Sequence, residues 1–142
     1  MTNIITQNPR SKVTAMTAAV IIFGGLYALS RTLLQNVYLF EWTSRNLYLY
    51  IWIPALILAV LNKTAVSYAI TLGNLAGVVI GQLLGDFIIS QNAKLITPET
   101  TPDMEYYLTY HQGAFIWIIT VLAFTVLGIV LKIVLSVRKR SA

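Results

Sequence analysis

Side chains able to do chemistry are scarce in this chain. Cysteine is absent and His111 is the single histidine. Thiolate metal sites, iron–sulfur clusters, cysteine nucleophiles and a multi-histidine site within one chain are thereby excluded. Serine-hydrolase, phosphate-loop and dinucleotide-binding motifs are missing as well. No catalytic residue, metal site or cofactor is expected, and the chain is not read as an enzyme.

What polar chemistry remains is concentrated in residues 64–90, TAVSYAITLGNLAGVVIGQLLGDFIIS. Asn74, Val78, Gln82 and Asp86 follow one another at i+4, so they share a row on a helix. Polar groups in hydrocarbon are expensive unless they are paired or face a wet cavity. The stripe of Asn74, Gln82 and Asp86 is therefore read as lining a narrow path for a small solute, ion or proton. Its plainer alternative is a polar clamp across a helix interface. Asp86 is the only acid within an apolar stretch, and three readings of it stay open. It is wetted at the membrane surface, it pairs with Arg31 or Arg45 at similar depth, or it lines the path.

Beside that stripe runs a row of small residues: Ala65, Ala69, Gly73, Gly77, Gly81 and Gly85, in strict i+4 register. A ridge without side chains is a groove that a second helix can enter closely, which is how small-xxx-small motifs associate in lipid. Three overlapping GxxxG motifs predict close backbone packing. They leave open whether the partner helix belongs to the same chain or to another copy. Gly24 and Gly25, being adjacent, either kink their helix or admit a neighbour.

As the single histidine, His111 invites a catalytic or pH-sensing role. Its tyrosine-rich surroundings favour a hydrogen-bonded anchor at the membrane surface. An aspartyl pair of Asp86 with Asp103 has no motif behind it.

These residues must be positioned by membrane helices. Of 142 residues, 57% are apolar and only 11% charged, against about 25% charged in soluble domains. A spanning helix needs about 20 mainly apolar residues. Stretches of about 13–34, 43–61, 64–90 and 114–137 qualify, giving an all-α integral membrane protein with four transmembrane helices in a single domain. The second is short and contains Pro54; three spans is the fallback if it is re-entrant. Ala28-Leu29-Ser30 carries small residues suited to signal cleavage, but the first span is read as a retained helix. Asn62-Lys63 leaves only a tight turn between spans two and three, which forces a helical hairpin. No internal repeat relates the two halves.

Charge sets the orientation. Arg10, Lys12, Lys63, Lys132, Arg138, Lys139 and Arg140 fall on one side with no acid, while all five acids fall on the other beside Arg31, Arg45 and Lys94. Basic residues are retained inside, so both termini are expected in the cytoplasm, N-in/C-in, of a bacterial cytoplasmic membrane. Trp42, Trp52 and Trp117, with Tyr38, Tyr48, Tyr50, Tyr106, Tyr107 and Tyr110, are read as an outer interfacial belt. The outer loop, 91–113, should hold a short interfacial helix between spans three and four. It is capped by Thr101, has Pro102 in its first turn, and places Met104, Tyr107, Leu108 and His111 on one face. Arg138-Lys139-Arg140 is too short for a lipid-recognition cluster and serves topology; nothing points to nucleic acid.

The functional expectation is movement of a small solute or ion by a homo-oligomer. The alternative is an accessory or assembly subunit that docks a larger membrane protein through the glycine row.

Overall fold

The computed structural model describes residues 9–46 and 48–141, with side chains for all of these except 46, 48, 49 and 138–141. The placements expected for the side chains of Tyr48, Arg138, Lys139 and Arg140 therefore lie outside the described residues. The chain forms α1 (Pro9–Arg31), α2 (Tyr38–Asn46), α3 (Tyr48–Val60), α4 (Thr64–Asn92), a 3-10 turn (Ala93–Leu95), α5 (Pro102–Thr109) and α6 (Gly113–Ser141). No strand occurs among the described residues.

Three of these helices, α1, α4 and α6, are long and apolar enough to cross a membrane. The expected second span, 43–61, is instead a bent pair, with α2 and α3 meeting at 67°. The reason lies in the residues: Thr43-Ser44-Arg45-Asn46 are polar, so the apolar run is confined to the 13 residues of α3. At ~1.5 Å per residue, α3 alone reaches about 20 Å, short of the ~30 Å hydrocarbon core.

The hairpin at Asn62-Lys63 forms as the spacing requires. Asn62 adopts a left-handed φ of 61°, which asparagine tolerates better than most residues. Its N–H donates to Ala59 O at 3.2 Å, and the Lys63 N–H donates to Leu58 O at 2.8 Å. This is the Schellman arrangement that satisfies the last carbonyls of a helix. The chain turns directly into α4, bringing α3 beside it.

Helix α4 is the centre of the molecule. On one side it meets α1 and α3 through Phe23, Leu26, Ala55, Val66 and Ile70, with Trp52 stacked on Phe23 at 6.1 Å between centroids. The Ser67 hydroxyl adds one polar tie, donating to Ala55 O of α3 at 2.7 Å. On the other side α4 meets α6. Gly24 and Gly25 have no atom within 4 Å of where a Cβ would stand, and α1 runs on through them. They do not admit a close neighbour.

Helix α5 begins at Pro102, as its sequence implies. The Thr101 hydroxyl makes no capping bond; its carbonyl accepts the Glu105 N–H at 2.9 Å instead. The expected shared face fails at its last member. Helix α5 ends at Thr109 and leaves Met104 and Tyr107 exposed, whereas His111 falls beyond the helix and is buried.

Candidate functional site

The groove formed by the glycine row is filled from within the same chain. Gly73 faces Phe124, Gly77 faces Trp117, Gly81 faces the backbone of Gly113, and Gly85 faces the His111 ring. A Cβ at Gly81 would lie 2.6 Å from the Gly113 carbonyl oxygen, and one at Gly113 would lie 2.7 Å from the Gly81 carbonyl oxygen. Backbone thus meets backbone, and neither side can yield. Lower down the roles reverse, with Gly128 of α6 receiving Ala69 and Ala65 of α4. The question left open by the sequence is answered: the row packs inside the chain.

Packing this close fixes where the polar stripe points. Asn74 is buried, and its Oδ1 accepts the Trp117 Nε1–H at 3.1 Å. Its Nδ2 is buried without a partner. Gln82 is buried too; its Oε1 accepts the Leu39 N–H at 2.7 Å, satisfying an amide in the first turn of α2. Its Nε2 donates to Asp86 Oδ2 at 2.8 Å. Asn74 ties α4 to α6 and Gln82 ties α4 to α2. These two members of the stripe clamp α4 to its neighbours by hydrogen bonds.

Asp86 differs from both. Its side chain is 61% exposed, while the His111 side chain that leans on it is only 8% exposed. His111 Nδ1 accepts the Gly113 N–H at 3.0 Å, so the hydrogen-bond network assigns the proton to Nε2, which faces Asp86 Oδ1 at 3.3 Å. The imidazole also lies against Tyr38 of α2, with centroids 4.1 Å apart and the rings tilted by 32°. Adding a proton at Nδ1 would remove the Gly113 bond at the very start of α6. Three parts of the fold therefore converge on one carboxylate: α4, the loop before α6, and through Gln82 and Tyr38 the beginning of α2.

The partners proposed for Asp86 are engaged elsewhere. Arg45 pairs with Glu41 one turn away at 2.7 Å, and the Arg31 guanidinium sits 5.7 Å from the Tyr27 ring centre. Both arginines border a separate polar cleft of about 190 Å³ with Ser30, Gln35, Asn36 and Glu41. Asp86 instead takes its two contacts from Gln82 and His111.

Trp117 departs from the expected belt. It is fully buried against Gly77, with Trp42 edge-on to it at 6.1 Å, and so does not belong to an interfacial belt. The tyrosines Tyr50, Tyr106, Tyr107 and Tyr110 are exposed. The face of α6 that complements the glycine row escaped sequence reasoning, although a signal existed. Gly113, Trp117, Val121, Phe124 and Gly128 recur at spacings of four, four, three and four, one helical face. No cluster of three or more His, Cys, Asp or Glu side chains that could hold a metal occurs among the described residues.

Comparison with models of protein families, with curated proteins and with solved structures finds no match. The site must be read from its own chemistry.

Proposed function

We propose that several copies of this chain together move a proton or small cation across a bacterial cytoplasmic membrane, with Asp86 as the group that meets the moving charge. In this reading the bent α2–α3 pair serves as one span, making four, and both termini lie in the cytoplasm. The orientation rests on the separation of bases from acids in the sequence. The observation that carries the proposal is the exposure of Asp86 in a helix otherwise apolar on that side. An ionisable group inside a membrane helix is retained chiefly where it faces a wet path or a partner.

Because Asn74 and Gln82 are taken up as clamps, the path runs over the outer surface of α4 rather than through the chain. Asp86 shares that surface with Val79, Leu83 and Phe87, all exposed and spaced to form one stripe. A second copy laid on this stripe would enclose the carboxylate between chains. Gln82 and His111 would hold its oxygens in place while it exchanged charge.

The test is flux through liposomes containing only the purified protein, driven by a pH gradient or by a cation gradient. Asp86→Asn is expected to lower flux by about tenfold or more, with the oligomer mass in native mass spectrometry unchanged. Equal flux from the variant, or a silent monomer, overturns the proposal. A second reading, an accessory subunit, has its own support in α6, whose residues 129–137 are exposed on every side. That reading predicts silent liposomes and a larger membrane protein attached to the chain when it is released gently from its host membrane.

A further inference from the structure

At the opposite end of the bundle from Asp86, a cleft of about 390 Å³ opens between the start of α4 and the second half of α6. Lys63, Lys132 and Ser136 stand with Val66, Ile129 and Ile133 as its lining. On α6 the four contributors, Ile129, Lys132, Ile133 and Ser136, fall at i, i+3, i+4 and i+7, a single stripe. Lys63 and Val66 supply the facing wall from the hairpin turn and the first turn of α4.

The two lysines are unengaged. Among the described residues neither ammonium has a hydrogen-bond or ion-pair partner, and the Ser136 hydroxyl is turned to its own helix, donating to Ile133 O. No acid lies near in sequence; the closest along α4 is Asp86, about 35 Å away at ~1.5 Å per residue. Helix α4 also begins here with no side-chain cap, so the positive end of its dipole adds to the same field. Among the described residues, no acid balances the charge of this rim.

The cleft has two chemically distinct halves, cationic at the rim and apolar along Val66, Ile129 and Ile133. A soluble anion would leave the apolar wall unused. A zwitterionic lipid would bring a cation of its own beside two lysines. We propose that the cleft binds an anionic glycerophospholipid, its phosphate between Lys63 and Lys132 and an acyl chain along the three aliphatic residues. Basic pockets between membrane helices are suited to such headgroups. The site is independent of whether Asp86 takes part in transport.

The experiment is native mass spectrometry of the full-length protein in a neutral detergent, titrated with equimolar phosphatidylglycerol and phosphatidylcholine. A third arm uses glycerol phosphate, which has the anion without the chains. Retained phosphatidylglycerol should exceed phosphatidylcholine by about tenfold, each lysine near an anionic headgroup contributing a factor of up to about five. Glycerol phosphate should not be retained. Lys63→Gln with Lys132→Gln should bring the two lipids to parity, and Lys94→Gln, in the outer loop, should change nothing. Ile133→Trp, which fills the cleft but keeps both lysines, should also lower phosphatidylglycerol retention; helical circular dichroism establishes that each variant is folded. If the double variant does not fold, the single lysine variants and Ile133→Trp carry the test. Equal retention of the two lipids by the unaltered chain, or a preference that survives the lysine and Ile133→Trp substitutions, overturns the proposal. Glycerol phosphate binding as well as phosphatidylglycerol would overturn the lipid as the source of the anion.

Discussion

The two sides of α4 are held by different physics. Against α1 and α3 it uses side chains: Phe23, Leu26, Trp52, Val66 and Ile70 pack into one apolar cluster. Against α6 it uses the lack of side chains, so that Gly81 and Gly113 bring carbonyl oxygen and Cα together. In water both designs would be driven by expulsion of solvent. In lipid that drive is lost, because acyl chains are as apolar as leucine, and what remains is packing and hydrogen bonding. The glycine side concentrates both, since close backbones let Asn74 reach Trp117 and let His111 sit over Gly85. The side-chain side has dispersion and the Ser67–Ala55 bond. A large substitution should therefore be ruinous on one side and modest on the other.

The comparison can be broken most sharply at Gly81. Gly81→Val places a branched side chain on a backbone carbonyl that cannot move aside, so the effect should exceed the ~1–3 kcal/mol typical of overpacking. Thermal unfolding in detergent is expected to show no cooperative transition for this variant. A folded Gly81→Val protein within a few degrees of the parent would mean that α4 and α6 are not in this contact. On the other side, Phe23→Ala empties a buried ring position. In a soluble core that change costs about 3–5 kcal/mol; here the transfer contribution is largely absent, and a loss of about 2 kcal/mol is expected. A cost as large as in water would show that this side is driven by more than packing.

Smaller substitutions sharpen the contrast. Trp117→Phe keeps most of the ring against Gly77 but deletes the donor to Asn74, leaving a buried amide oxygen without a partner. Its expected cost is about 0.6–2 kcal/mol, and Asn74→Leu combined with it should cost less than the two changes summed. A double-mutant cycle by denaturant unfolding in mixed micelles reads that difference. Gly24→Ala is the control with the least effect. Nothing stands within 4 Å of the added methyl, so stability should move by no more than about 0.5 kcal/mol.

Much of the architecture is legible in the order of the residues alone. The apolar lengths mark α1, α4 and α6, because crossing ~30 Å of hydrocarbon demands an unbroken run of suitable residues. Asn62-Lys63 dictates a hairpin, and Thr101-Pro102 dictates where α5 begins. The glycine register announces a close contact by its period alone. Tertiary structure decided the rest. Only the fold could show that the groove is filled by α6 of the same chain, because a row of glycines carries no address for its partner. Only the fold could divide one i+4 stripe into two buried clamps and one exposed carboxylate. Sequence spacing places Asn74, Gln82 and Asp86 on a common row, but burial depends on how far each neighbouring helix extends. His111 is the clearest case. One residue beyond the C-cap of α5, it leaves that helix's face and packs over Gly85, where distance in sequence from Asp86 no longer matters.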